Sequence, residues 1–178
     1  MNLWHDISIG GNAPEEFNCL IEVPKGSHNK YEIDKSTGLI KLDRANYGAA
    51  PYPFDYGFIP QTLWDDGDAL DVVLLTTYPI HPGILVSARP VALMEMDDSG
   101  ESDNKIIAVP VDDRRFDDIN ALSDLNNHSL KEFKDFFENL KNLKGKTAKV
   151  QILGYKDKAL AKEAISRAQK LYQDKFGK

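Results

Sequence analysis

A change in the period of the apolar residues constrains the fold of this chain more than any other feature. Up to residue 109 the apolar residues lie in short runs of strand length that are separated by turn residues. Beyond residue 129 they recur every three to four residues, which is the period of a helix with one buried face. This order predicts a mainly β protein of the α+β class, in which helices pack outside a small antiparallel β-barrel.

The β part contains one hairpin signal and one irregular segment. The predicted strands are residues 17–23, 30–35, 39–44, 70–75, 84–96, 105–109 and 146–153. Ser36, Thr37 and Gly38 separate the second strand from the third, and glycine in such a short connection is typical of a hairpin loop. Residues 47–60 are rich in proline, glycine and aromatic side chains, which predicts an irregular segment rather than a strand or a helix.

Two helices are predicted after residue 128. Ser129 and Glu132 have the spacing of a capping box, and Asp157 is the predicted N-cap of the second helix. The residues predicted to face the core are Leu130, Phe133, Phe137 and Leu140 in the first helix and Leu160, Ala164, Ala168 and Leu171 in the second. Because no repeat or linker interrupts the pattern, we interpret residues 1–178 as a single domain.

The net charge and the composition limit the classes of binding partner and the cellular compartment that we expect for this protein. The net charge of -6 argues against nucleic acid or an anionic membrane surface as the main partner. No apolar run approaches the roughly 20 residues that a membrane span requires. His5 and Asp6 lie where a signal peptide needs an apolar core, and the single cysteine, Cys19, has the pattern of a small buried hydrophobe. We therefore expect a cytoplasmic protein.

The densest chemical signal is an acidic turn that leads into an apolar strand. Gly67 frees the backbone to turn, so Asp66 and Asp68 can face a common point, while Asp71 begins the strand. Clustered carboxylate oxygens suit a hard cation such as Mg²⁺. Taken in isolation, an acidic turn is more often a solvated loop. An EF-hand loop is excluded, because Leu70 stands where that loop needs an oxygen ligand and Asp71 where it needs glycine.

Other charged and phenolic side chains form clusters that are ambiguous when taken singly. They are Lys30, Glu32, Arg44, Tyr52, Tyr56 and the acidic loop of residues 97–104, which precedes Lys105. An alternating charged strand face is typical of solvent exposure, and an acidic loop between strands is typical of a hairpin turn.

Taken together, these clusters carry a resemblance to a known family. The segments are IEVP at 21–24, KYEID at 30–34, DR at 43–44, YPFDYG at 52–57, DGDALD at 66–71 and the acidic segment 98–105. In this order and spacing they closely resemble the family I soluble inorganic pyrophosphatases of the prokaryotic type. The resemblance extends from Glu22 to Lys141, and its most specific single piece is the run Asp-Gly-Asp-x-x-Asp.

The resemblance implies a function and a set of site residues. It implies an OB-like, five-stranded barrel that hydrolyses inorganic pyrophosphate to two orthophosphates by attack of a metal-activated water. Asp66, Asp71, Asp98 and Asp103 would be metal ligands, Asp68 the catalytic base, Lys30, Arg44, Tyr56, Lys105 and Lys141 substrate-binding groups, and Glu22, Glu32 and Tyr52 supporting groups. It further implies several Mg²⁺ ions per site, with Mn²⁺ or other divalent ions as substitutes, and a homo-hexamer.

The chain departs from the family pattern at two positions. Ala69 replaces the usual proline or glutamate, and Leu140 replaces the tyrosine that usually precedes the lysine matched by Lys141. Because of the second departure, one expected hydrogen bond to phosphate is either missing or supplied by another group. The candidate carboxylates outnumber the candidate cations and leave a net charge of -3, so an anionic substrate would need divalent cations to enter.

Two alternative functions remain open from the sequence. The first is a catalytically inactive barrel that binds a metal or a partner, which would be recognised by the loss of ligand positions. The second is a metal-dependent hydrolase of a larger phosphate ester or nucleotide, which would need a surface for a base or a sugar.

Overall fold

A computed structural model describes residues 1–145 and 149–177 of the chain. The strands are β1 (Phe17–Val23), β2 (Asn29–Ile33), β3 (Ile40–Ala45), β4 (Asp55–Phe58), β5 (Asp71–Leu74), β6 (Leu85–Asp98), β7 (Glu101–Ser102), β8 (Lys105–Pro110) and β9 (Val150–Lys156). The α-helices are α1 (Asn127–Asn139) and α2 (Lys158–Phe176), and short 3-10 helices occupy Arg114–Phe116, Leu122–Asp124 and Asn142–Lys144. Among the described residues, neither helix has the length and apolar character that crossing a membrane requires.

Strand pairing closes the ring β1–β4–β5–β8–β6, because β6 pairs with β8 and also returns to β1. Within the described ranges this confirms the predicted α+β class and the five-stranded, OB-like barrel with peripheral helices. The junction between β5 and β8 is parallel, whereas the other junctions of the ring are antiparallel. A ring with an odd number of strands cannot reverse direction at every junction, so a fully antiparallel barrel was not attainable.

The inner strands are buried on both faces, which explains their continuous apolar runs. In β5, Val72 and Leu74 pack into a cluster with the buried face of α2, and Val73 packs into a second cluster with α1. Cys19 lies in the first of these clusters and is fully buried, as predicted, and burial raises the pKa of its thiol.

The prediction that residues 47–60 contain no strand was wrong, because β4 lies within this segment. Gly57 pairs with Ile21 of β1, and a Cβ atom at Gly57 would lie 1.9 Å from the backbone oxygen of Leu20. The strand therefore depends on a glycine that permits close backbone contact, and glycine beside prolines predicts a loop when it is considered locally.

The first helix begins earlier than predicted. Asn126 is its N-cap, because the Asn126 side chain accepts hydrogen bonds from the backbone N–H groups of His128 (2.7 Å) and Ser129 (3.3 Å). The predicted start at Ser129 is therefore wrong. Phe133 and Phe137 are buried as predicted, and Leu130 and Leu140 are partly buried against the same cluster.

The second helix and the strand before it are shifted slightly from their predicted positions. Asp157 caps α2 as predicted by accepting a hydrogen bond from the Leu160 N–H at 3.1 Å. However, Leu160 is 40% exposed and Ala161 is buried, so the buried stripe begins one residue later. The strand predicted at 146–153 is observed as β9 at Val150–Lys156, and residues 146–148 lie outside the described residues.

Candidate active site

A cavity of about 590 Å³ lies where the β2–β3 hairpin, the starts of β5 and β8, the β6–β7 turn and the end of α1 meet. All thirteen predicted site residues line this cavity. They are Glu22, Lys30, Glu32, Arg44, Tyr52, Tyr56, Asp66, Asp68, Asp71, Asp98, Asp103, Lys105 and Lys141. The structure thus brings together residues that span 120 positions of the sequence, whereas their individual roles stay predictions.

The parallel junction of the barrel forms the floor of the cavity. Asp71, the first residue of β5, stands in register with Lys105, the first residue of β8. The Lys105 ammonium donates to Asp71 Oδ2 at 2.6 Å and also forms an ion pair with Asp103. The Tyr56 hydroxyl donates to the same Asp71 oxygen at 2.5 Å. Burial opposes the charge of Lys105, but Asp71 and Asp103 together raise its pKa.

Asp66 and Asp103 complete an acidic group on this floor. Burial, together with the neighbouring charges of Asp71 and Asp66, raises the pKa of Asp103 to about 6 against the opposing effect of Lys105. Burial also raises the pKa of Asp66, whose Oδ1 accepts a hydrogen bond from the Asp68 N–H at 3.0 Å. These carboxylates are crowded and poorly solvated, so a cation among them would be strongly favoured.

The carboxylate oxygens of Asp66, Asp71 and Asp103 on the floor are chemically suited to Mg²⁺, because this ion prefers carboxylate ligands. Within residues 1–145 and 149–177, however, no group of three acidic, histidine or cysteine side chains is arranged as a ready metal site. On the floor, Asp71 and Asp103 each direct an oxygen to the Lys105 ammonium.

The β6–β7 turn holds the other predicted metal ligand. Ser99 and Gly100 both have positive φ angles (61° and 96°), which is the geometry of a tight two-residue hairpin turn. This turn places Asp98 beside Lys141, and the two form an ion pair. Although burial opposes it, the contact with Lys141 lowers the pKa of Asp98. Asp66, Asp98 and Asp103 also line an adjoining cavity of about 330 Å³.

The β2–β3 hairpin supplies cations on the opposite wall. Lys30 and Arg44 face each other across the hairpin. The Lys30 ammonium lies 3.3 Å from Glu32 Oε2 and 3.4 Å from Asp43 Oδ2, and Asp43 also pairs with Arg44. The Arg44 Nε is buried and has no hydrogen-bond partner among the described residues. This donor is therefore available for an anionic oxygen.

Two of the supporting residues are buried beneath the wall. Glu22 Oε1 accepts a hydrogen bond from the Ile33 N–H at 2.7 Å and so ties β1 to the hairpin. Burial, with a further contribution from Asp71, raises the pKa of Glu22 to about 8. Tyr52 packs against Phe136 at a ring-centroid distance of 4.7 Å, and burial raises the pKa of its phenol.

Several residues that line the cavity were not among the predicted site residues. They include Trp4, Asp34, Lys35, Lys41 and Lys144. Lys35 pairs with Asp68, and Lys41 lies 2.9 Å from Asp34 Oδ2. The position of Lys35 directly after the KYEID segment was a usable signal for its place at the site, but nothing local indicated Trp4. With these residues the described part of the lining carries eight acids and seven cations, so its charge is close to -1 rather than the -3 counted from the sequence.

The sequence and the fold of this chain both match known proteins. The family model described as inorganic pyrophosphatase matches residues 19–173. An inorganic pyrophosphatase of Haloferax volcanii is 49% identical over 177 residues, which cover 99% of this chain and 99% of that protein. A soluble inorganic pyrophosphatase of Zea mays is 46% identical over 95% of this chain and 78% of its own length. The crystal structure of inorganic pyrophosphatase from Thermus thermophilus superposes with a TM-score of 0.94 at 42% identity, covering 97% of this chain and 99% of that one.

Proposed function

Because the chain belongs to the inorganic pyrophosphatase family, it hydrolyses inorganic pyrophosphate to two orthophosphates, and we propose that it does so with Mg²⁺ bound at the floor of the cavity. The proposed metal ligands are Asp66, Asp71, Asp98 and Asp103. When bound, Mg²⁺ supplies positive charge to the site and lowers the pKa of coordinated water toward about 7. Mn²⁺ or another divalent ion is the proposed substitute.

The observation that carries this proposal is the distribution of ion pairs. At the rim Asp68 is paired with Lys35 and Asp34 with Lys41, and on the wall Asp98 is paired with Lys141. On the floor, by contrast, one ammonium among the described residues, that of Lys105, stands among three carboxylates, those of Asp66, Asp71 and Asp103. The floor therefore carries an excess charge of about -2 in a partly buried place, which one divalent cation would neutralise.

The chain's own residues then bind and orient the substrate. Lys30, Arg44, Lys141 and the Tyr56 hydroxyl are the proposed phosphate-binding groups, with Lys105 as a nearby positive charge. The Arg44 Nε, which has no hydrogen-bond partner in the described part of the chain, supports the place of Arg44 in this set. Asp68 is the proposed base that accepts a proton from the attacking water, because it lies at the rim of the cavity and outside the crowded floor. Glu22 and Tyr52 are the proposed supporting groups beneath the wall, and Glu32 supports Lys30 on the wall itself.

A phosphate-release assay tests the proposed function. We expect purified protein to release phosphate from pyrophosphate when Mg²⁺ is present, and to release much less from ATP under the same conditions. Asp65→Asn is a matched control, because Asp65 belongs to the same turn but pairs with Arg167 and does not line the cavity. Comparable rates on ATP would favour a hydrolase of larger phosphate esters, and full activity in a chelator would contradict the metal requirement.

We propose further that residues 1–178 act as one catalytic domain in a cytoplasmic homo-hexamer. The exposed apolar side chains of Tyr78, Ile84 and Leu85 support an association of copies, since contact between subunits would cover them. The reduced, buried Cys19 is compatible with the cytoplasm. Light scattering should give a mass near six times 20.0 kDa, and a monomer mass would contradict the assembly.

A further inference from the structure

Lys105 has an unusual environment for a lysine. Its side chain is 2% exposed. Among the described residues, no other lysine or arginine is buried. A buried ammonium is costly unless several partners satisfy it. Here Asp71 and Asp103 both accept hydrogen bonds from it, and the Tyr56 ring lies 5.9 Å from the ammonium. The protein thus maintains a full positive charge at the centre of its acidic floor.

The carboxylates around Lys105 are only partly committed to it. Asp71 Oδ2 accepts from Lys105 and Tyr56, and Asp103 Oδ1 accepts from Lys105. Within residues 1–145 and 149–177 the other oxygen of each carboxylate accepts no hydrogen bond from a protein group. Each carboxylate therefore has one oxygen bonded to the Lys105 ammonium and keeps its other oxygen for a metal cation.

From this geometry we propose that Lys105 is a resident counter-ion, a positioning residue that holds Asp71 and Asp103 together in the metal-free protein and thereby weakens the binding of the first Mg²⁺. The inference rests on the proposed function in that it takes Mg²⁺ as the ion of this floor. Without the lysine charge the two carboxylates would repel each other and the fold would be less stable. With it, an arriving cation meets a floor that is already partly neutralised.

The consequence is a trade between stability and metal affinity. A neutral side chain at position 105 leaves the floor with one more negative charge, so the metal-free protein should lose stability while Mg²⁺ binds more tightly. A purely structural lysine would behave differently, because its loss would disorder the carboxylates and weaken the metal as well. The direction of the change in Mg²⁺ affinity therefore separates the two roles.

The test compares the wild-type chain of 178 residues with Lys105→Met, Lys105→Gln and Lys105→Arg. Calorimetric titration of the chelated protein with Mg²⁺ measures the affinity, and thermal unfolding with and without Mg²⁺ measures the stability. We expect the two neutral variants to bind the first Mg²⁺ about tenfold more tightly or better, since a unit charge at close range is removed. They should also gain more thermal stability from Mg²⁺ than the wild type. Lys105→Arg, which keeps the charge, should resemble the wild type.

A matched control is Lys156→Met, which removes a lysine that pairs with Glu95 at 3.4 Å away from the cavity and should leave Mg²⁺ affinity unchanged. Unchanged or weaker binding by both neutral variants would overturn the inference. So would neutral variants that stay unfolded even in excess Mg²⁺, because the metal should replace the missing charge. If the wild type itself binds no Mg²⁺, the proposed metal function fails instead, so the two failures are distinguishable.

Discussion

The Lys35 ammonium forms an ion pair with the Asp68 carboxylate at the rim of the cavity, where the two side chains are 59% and 55% exposed. Asp71, three residues later, is only 22% exposed and is bonded to Tyr56 and Lys105 on the floor. Two acids of one turn therefore occupy different environments. The accessible carboxylate is suited to exchange a proton, and the enclosed one is suited to hold a cation.

Replacement of Asp68 should affect turnover and spare the metal. Asp68→Asn keeps the size of the side chain and one oxygen but removes its basicity, so turnover should fall by roughly 10²–10⁴. Because Asp68 lies outside the floor, calorimetry should still detect the first Mg²⁺ with near wild-type affinity. Asp65→Asn, in the same turn and paired with Arg167, should leave both quantities unchanged.

Replacement of Asp71, in contrast to Asp68, should weaken Mg²⁺ binding. Asp71→Asn removes a floor charge, so Mg²⁺ affinity should fall and excess Mg²⁺ should recover part of the rate. The measurement is an activity assay titrated with Mg²⁺ alongside calorimetry. If Asp68→Asn loses the first metal while Asp71→Asn keeps it, the two roles must be exchanged.

Glu22 should make the metal-free protein less stable as the pH rises. Burial raises its pKa from 4.5 to about 8 in the folded state, so between these values the folded protein keeps a proton that the unfolded chain has released. The free energy of unfolding should then decrease through this window, by at most about 1.4 kcal/mol per pH unit from this group. Glu22→Gln can still accept the hydrogen bond of the Ile33 N–H and should flatten this slope.

Denaturant unfolding in a chelator at several pH values measures this effect. Glu95→Gln is the control, since Glu95 is partly exposed and lies beside Lys156 away from the cavity. An identical pH slope in the wild type and Glu22→Gln would show that Glu22 does not hold its proton in the folded state.

Leu140→Tyr should lower the Michaelis constant for pyrophosphate. Leu140 lines the cavity beside Lys141, so a phenol there is in the region where the family usually offers one. A charge-assisted hydrogen bond to phosphate would contribute about 1.5–3 kcal/mol at most. Leu143→Tyr, at an exposed position that does not line the cavity, should change nothing in the same steady-state assay. A raised or unchanged constant for Leu140→Tyr would mean that another group already fills this place.

Gly57→Ala should destabilise the barrel by about 3 kcal/mol or more, because the new Cβ would collide with the Leu20 carbonyl and force β1 and β4 apart. Denaturant unfolding measures the loss. Gly48→Ala is the matched control, since a Cβ at Gly48 meets nothing within 4 Å. Equal stabilities for the two variants would contradict the close strand contact inferred at Gly57.

Features that depend on neighbouring residues were determined by the sequence itself. The strand Phe17–Val23, the hairpin at Gly38 and the Asp157 cap were predicted because apolar period, turn glycine and capping side chain act within a few residues. The order and spacing of the acidic and basic segments likewise identified the residues of the cavity. Local rules failed at Ser129, where the nearby Asn126 supplied a competing cap.

Only the tertiary structure decided which charges meet. Lys105 lies 34 positions from Asp71, and the parallel junction that brings them into register exists because a ring with an odd number of strands closes on itself. Lys35 reaches Asp68 in the same long-range way, and Glu22 becomes a raised-pKa acid only once β1 is enclosed. Pairing energy and desolvation depend on distance and burial in space, so the residue types were readable from the chain but their electrostatic states were set by barrel closure.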